Sequence, residues 1–228
     1  MTLATVAWFA LAAIASVAFV VIAAELRRGA LDRIDPAIEL AVHRLDSPAA
    51  DIVMTAASQI GANGVLLPVV AAVALLAIHR RRRIIAIVLV LDTAVVIGAN
   101  NALKVMFARE RPRLFDKVAL PTSYSFPSGH AMSALAIWGV VAAALIALSS
   151  PAWPGRPDGP GGHGGHGGHG GRDRAARRCA IAGAAVLIAT IGFSRVYLGV
   201  HWPSDVVGGF LGGVPPLVAS VHAIHRGR

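Results

Sequence analysis

Charge is what this sequence has least of. Only 14% of its 228 residues are Asp, Glu, Lys or Arg, against 56% hydrophobic ones, and the mean hydropathy is +0.66. A chain so poor in charge lacks the polar surface of a soluble domain and reads as a membrane protein. A single cysteine, Cys179, excludes an intramolecular disulfide and reads as a small apolar residue at a helix start. The first apolar run has no basic segment before it and exceeds the core of a secretory signal, so it reads as a retained helix. The formal charge of +9 does not point to nucleic acid, because the basic residues lie between apolar runs instead of on one soluble face. Anionic lipid headgroups are the simpler partner.

What the chain does have is apolar sequence of membrane length. A bilayer core of about 30 Å takes roughly 20 helical residues to cross, and Leu3 to Ala24 is uncharged over that length. Similar runs recur at 52–78, Ile84 to Leu103, Ala131 to Leu148, Cys179 to Phe193 and Val206 to Ile224. The expected fold is therefore all-α: a polytopic membrane protein with six transmembrane helices in one bundle, forming one domain over 1–228. Ser47 is placed to cap the second span with Pro48 at its first position, and Gly61 or Gly64 is placed to break it.

Between the spans, residues 29–46 read as an interfacial segment. Ile38, Leu40, Ala41 and Leu45 recur near helical spacing with Glu39, His43 and Arg44 among them. Residues 151–171 are rich in Gly and Pro and read as a flexible loop. Its His163, His166 and His169 lack carboxylate partners and make a weak metal site. Gly208, Gly209, Gly212 and Gly213 form small-xxx-small pairs on the last span, which suit close packing within the chain or in a homodimer. Pro215 and Pro216 are expected to kink that span. Asp92, in mid-span, is assigned a buried hydrogen bond with Asn100 or Asn101 as its neighbour.

With six spans both termini share one side, together with the loops at 79–83 and 149–178. That side carries 11 basic residues and the other 10, so the count alone decides little. The compact block Arg80 to Arg83 in a very short loop is the strongest orienting signal and makes that side cytoplasmic, although Arg27 and Arg28 pull the other way. The motifs described next all fall on the opposite, extracytoplasmic side.

Three short motifs stand at the ends of apolar runs: Lys104 with Arg111-Pro112, then Pro127-Ser128-Gly129-His130, then Ser194-Arg195 with His201 and Asp205. Lys104 and Arg111 are seven apart, which on one helix puts both on the same face, with Pro112 ending that helix. Ser128 is placed to cap the fourth span, so that the Gly129 backbone meets an anion at a helix N-terminus. His201 and Asp205 are four apart around the start of the last helix, where the carboxylate accepts the imidazole Nδ1–H and leaves Nε2 to attack.

This inventory fits phosphoryl transfer. Lys104, Arg111, Ser128, Gly129 and Arg195 supply donors for the spread charge of a transferring phosphoryl group. His201 is the candidate nucleophile, His130 the general acid that then activates water, and Asp205 the orienting residue. Asp205 is committed to His201 and the other acids on that side are scattered, so the reaction is expected to need no metal and no cofactor.

Read as K-x6-R-P, P-S-G-H and S-R-x5-H-x3-D, these residues resemble the signature of the type 2 phosphatidic acid phosphatase superfamily without departure, chiefly within residues 50–220. The resemblance implies a six-helix membrane core, an extracytoplasmic site, a phosphohistidine intermediate and lipid phosphate or diphosphate substrates. His201, His130 and Asp205 would be catalytic, and Lys104, Arg111, Ser128, Gly129, His130 and Arg195 would bind phosphate. The size and span number look like bacterial members acting on phosphatidic acid, phosphatidylglycerol phosphate or undecaprenyl diphosphate. Two alternatives stand beside this reading. A vanadate-dependent haloperoxidase shares the pocket but is soluble, and a metal transporter using the histidine loop needs more intramembrane charge than Asp92 alone.

Overall fold

The computed structural model describes residues 3–115, 117–149 and 169–227. Residues 151–168, most of the stretch expected to be a flexible loop, lie outside the described residues. Among the described residues there is no strand, and the helices run α1 (Leu3–Arg27), α2 (Ile34–His43), α3 (Pro48–Ile60), α4 (Asn63–His79), α5 (Arg83–Phe107), α6 (Gly129–Ser149), α7 (His169–Tyr197) and α8 (Pro203–Arg226). Five of them are long and apolar enough to cross a membrane. The pair α3 and α4, bent by 49° at its break, meets the same test only when taken together, as a broken span or a re-entrant loop does.

α6 is the centre of the bundle and α1 its periphery: 61% of the apolar window of α6 is buried inside the protein, against 11% for α1. The reason is residue size. Ala131, Ala134, Ala136 and Ala144 on α6 are fully buried, and such small side chains let α4, α5, α7 and α8 approach closely. Leu66, Val70 and Ala77 of α4 and Leu89 and Val96 of α5 complete the core. A π-helical turn, Ala134–Trp138, interrupts α6 just beyond its first turns.

The glycines of α8 are explained within this chain. A Cβ on Gly209 would lie 2.5 Å from the Ser128 carbonyl, one on Gly213 2.9 Å from the Met132 carbonyl, and one on Gly208 2.6 Å from the Phe126 ring. α8 therefore lies directly on the start of α6, and the helix continues through Pro215 and Pro216. Gly61 plays a similar part at the α3–α4 break, where a Cβ would meet Ile191 at 2.5 Å and the His130 ring at 3.1 Å. Gly64 has open space and lies in the first turn of α4, so the break belongs to Gly61 and Ala62.

Two local expectations change. α5 stops at Phe107, because Ala108 turns left-handed (φ 46°) and donates its N–H back to Lys104. Arg111 is therefore on the connection to α6 and does not share a helical face with Lys104. Asp92 accepts from Ser220 Oγ on α8 at 2.7 Å, not from Asn100 or Asn101; Asn100 lies more than two turns further along and donates to Pro127. α2 buries Asp35 and Glu39 and leaves Ile34, Ile38 and Leu40 exposed, an arrangement compatible with the interfacial reading of this segment.

The Gly209 contact is with backbone, which cannot move aside. Gly209→Val is expected to destabilise the protein by about 1–3 kcal/mol. Gly212→Ala, where a Cβ meets its neighbours at an ordinary 3.7 Å, is expected to change stability by less than about 0.5 kcal/mol. Thermal unfolding of the two variants in detergent checks both.

Candidate active site

Each motif sits where a helix begins or ends, and backbone hydrogen bonds tie the motifs to one another. Ser128 caps α6 by accepting the Ala131 N–H, while its own N–H donates to the Asp205 carbonyl at 2.9 Å. Asn100 of α5 donates to the Pro127 carbonyl at 3.2 Å. Gly129 packs so closely that a Cβ there would stand 2.8 Å from Asn100 Oδ1. The second motif is thus pinned from both sides by chain segments that precede and follow it.

The cations are oriented by carbonyl groups of the α5–α6 connection. Lys104 Nζ donates to the carbonyls of Tyr124 and Ser125. Arg111 uses Nε on Ser123 O (2.8 Å), Nη2 on Ser123 Oγ (3.1 Å) and Tyr124 O (3.2 Å), and Nη1 on Val200 O (2.5 Å). Arg195 donates to Ser58 Oγ of α3, and its Nε has no partner. Positive charge is thereby gathered by neutral acceptors, which leave it uncancelled.

α7 ends in a tight turn. Gly199 takes φ +68°, a conformation that L side chains rarely adopt, and the next N–H groups, of Val200 and His201, both return to the Arg195 carbonyl. This turn delivers His201. Its Nδ1 lies 3.3 Å from Asp205 Oδ2, and its Nε2 lies 3.1 Å from Arg111 Nη1. A guanidinium can only donate, so Nε2 carries the lone pair and Nδ1 carries the proton given to Asp205. Nε2 is therefore not vacant, as the sequence suggested, but covered by Arg111. Burial, followed by the Arg111, Arg195 and Lys104 charges, holds this imidazole well below its ordinary range, so it stays neutral.

Asp205 is fully buried and holds three partners: His201, the Trp202 N–H at 2.9 Å and Arg109 Nη1 at 2.6 Å. Arg109 also pairs with Asp35 of α2 at 2.6 Å, and the Asp35 carboxylate accepts the N–H and hydroxyl of Ser204. Glu39, one turn along α2, is fully buried with neither carboxylate oxygen bonded. Burial, then Asp205 and Asp35, push its carboxyl up to about 8.

The motifs enclose a cavity of about 220 Å³ whose wall includes Lys104, Arg111, Gly129, His130, Arg195 and His201. Ser128 and Asp205 stand behind that wall, without solvent exposure. Asn63, Asn100, Asn101, Ser123 and Ser133 add neutral polar groups to its lining. A larger apolar cavity, about 810 Å³, lies between α1, α6, α7 and α8 and contains no motif residue.

A sequence model of the PAP2 superfamily matches residues 83–226, which hold every motif and most of the bundle. The chain belongs to the PAP2 superfamily. It is 29% identical over 192 residues to phosphatidylglycerophosphatase B of Bacillus subtilis, covering 84% of each chain. It is also 33% identical over 161 residues to an undecaprenyl-diphosphatase of Sulfolobus acidocaldarius, covering 68% of this chain and 62% of the other. The crystal structure of a transmembrane PAP2-type phosphatidylglycerolphosphate phosphatase from Bacillus subtilis superposes with a TM-score of 0.77 at 26% identity, covering 92% and 93% of the two chains. Aquifex aeolicus LpxE shares the fold with a TM-score of 0.54 at 23% identity, covering 83% and 95% of the two chains.

Within this PAP2 site, sequence reasoning missed Arg109, Asp35, Glu39 and Ser58. Arg109 sits among the unspecified positions of the first motif, and its two charged neighbours in space are 74 and 96 residues away in sequence. The one available signal was on α2, where Asp35 and Glu39 are four apart and so share a helical face.

Glu39 gives a pH-dependent stability of known sign. Its folded-state carboxyl is raised from an ordinary 4.5 to about 8, so the unfolded chain releases a proton that the folded chain keeps. The stabilising contribution is complete below 4.5 and is lost as pH rises through 8. Glu39→Gln is expected to match the parent near the lower pH and to exceed it in thermal midpoint near the upper one. Unfolding curves of both proteins across that interval check this, and parallel curves would contradict it.

Proposed function

We propose that the chain is an integral-membrane lipid phosphatase that cleaves a phosphate monoester or diphosphate through a phosphohistidine, without a metal. The observation that carries this reading is the neutral Nε2 of His201 facing a small cavity walled by Lys104, Arg111 and Arg195, with Nδ1–H held by Asp205. An anion entering the cavity takes the Arg111 guanidinium away from Nε2 and exposes the lone pair to phosphorus. The Nε2–P bond forms as the P–O bond to the lipid breaks. The positive charge that develops on the ring is balanced by Asp205.

His130 enters the cavity from the first turn of α6 and donates the proton that the departing alkoxide or lipid phosphate needs. Water then attacks phosphorus, His130 takes its proton, the P–N bond breaks, and inorganic phosphate leaves. The equatorial oxygens are held by Lys104, Arg111, Arg195 and the Gly129 N–H, with Ser128 fixing the turn that presents that N–H. Arg195→Lys should fail here, because a lysine cannot grip two oxygens in one plane. Among the described residues, no three of His, Cys, Asp and Glu gather as a metal site.

Phosphatidylglycerol phosphate is the substrate we favour, because the B. subtilis protein of that activity is similar over 84% of this chain. Phosphatidic acid and undecaprenyl diphosphate fit the same cavity chemistry. The relatives are phosphatases by name, which favours hydrolysis over the haloperoxidase and metal-transporter readings. We place the site on the extracytoplasmic face of a bacterial cell membrane, with both termini cytoplasmic, on the strength of the Arg80 to Arg83 block. A single domain suffices, and the glycines of α8 need no second copy.

Purified enzyme offered the three lipids is expected to release phosphate fastest from phosphatidylglycerol phosphate and to keep its rate in chelator. A rate lost in chelator and restored by Mg²⁺ rejects the metal-free mechanism. His201→Ala should abolish turnover. His130→Ala should cost about 10²–10⁴-fold with a lipid alcohol leaving group and less with an easier one. Full activity of His201→Ala overturns the assignment.

A further inference from the structure

We propose that Asp35 and Arg109 are positioning residues for the Asp205–His201 pair, so that the interfacial helix α2 helps to set the geometry of the nucleophile. The inference rests on the assignment of His201 and Asp205 given above. An arginine facing one carboxylate ordinarily grips both oxygens with two parallel N–H groups. Arg109 does not. Its Nη1 donates to Asp205 Oδ1 at 2.6 Å and to Ser204 Oγ at 2.8 Å, while Nη2 is held by Asp35 Oδ2 at 2.6 Å. Asp35 is itself fixed to the first turn of α8, accepting Ser204 N–H at 3.0 Å and the Ser204 hydroxyl at 2.5 Å.

The consequence is a division of labour between the two oxygens of Asp205. Oδ1 takes the guanidinium, and Oδ2 is left for His201 Nδ1 at 3.3 Å and the Trp202 N–H at 2.9 Å. Without the Asp35 charge, the second nitrogen of Arg109 loses the carboxylate to which it is bonded and closes on Asp205 as a fork. That draws Oδ2 from the imidazole and spends on Arg109 the negative charge that should balance the phosphorylated ring. Neither Asp35 nor Arg109 lines the substrate cavity, so the loss falls on turnover and not on binding.

The test is a double-mutant cycle with purified, folded protein and phosphatidylglycerol phosphate in mixed micelles. Asp35→Asn is expected to lower kcat by about 10- to 100-fold, with KM within about twofold, the scale of a misplaced reacting group. In the background of Asp205→Asn, the same substitution should cost less than about twofold, because the two act through one contact. Arg109→Lys, whose one nitrogen cannot hold Asp205 Oδ1 and Asp35 Oδ2 from two separate positions as Nη1 and Nη2 do, should reproduce the loss in kcat. It takes the place of Asp35→Asn in the cycle if that variant does not fold. An unchanged kcat, a loss confined to KM, or a cost that simply adds to that of Asp205→Asn overturns the proposal. His201→Ala, run alongside, separates the two levels. If it is inactive while the cycle is additive, only the positioning role falls; if it is active, the nucleophile assignment falls and takes this inference with it.

Discussion

A carboxylate with no access to water is the constraint on which this structure depends. Asp205 lies at zero exposure in the first turn of α8, and a charge in that position is tolerable only if its lone pairs are met by donors. Three chain segments supply or organise them. His201 and the Trp202 N–H come from the turn after α7, Arg109 from the connection after α5, and Asp35 on α2 fixes the other side of Arg109. The Asp205 backbone carbonyl in turn receives the Ser128 N–H. Satisfying one buried charge thus brings together the ends of α2, α5, α6, α7 and α8, which is also what assembles the cavity.

The cations obey the complementary rule. Lys104 and Arg111 are held by backbone carbonyls of residues 123–125 and Val200, and Arg195 by a serine hydroxyl, not by carboxylates. Neutral acceptors fix the direction of a positive group without cancelling its charge, so the cavity keeps its attraction for phosphate oxygens. The acidic residues are kept apart, behind His201, where Asp205 meets the imidazole. Charges of opposite sign are therefore layered, cations lining the cavity and carboxylates behind His201.

α2 shows why such layering is invisible to a hydrophobic pattern. Its apolar residues mark a helix with one oily face, and in a soluble protein that face would turn inward. In this chain Ile34, Ile38 and Leu40 point out and Asp35 and Glu39 point in. The pattern marked a helix, but the contacts of its acids decided which face was the inside.

The sequence by itself determined the all-helical membrane class, the family, and the eleven motif positions, because charge-free runs of membrane length and short spaced motifs are properties of local order along the chain. It also determined the caps at Ser47 and Ser128, which depend on neighbours within a few residues. Tertiary structure alone decided that Arg111 covers Nε2, that Asp92 meets Ser220, and that Arg109 joins Asp35 to Asp205. Those are contacts between residues far apart in the chain. Their partners are chosen by which buried charges must be satisfied once the helices pack, a condition that no stretch of sequence carries on its own.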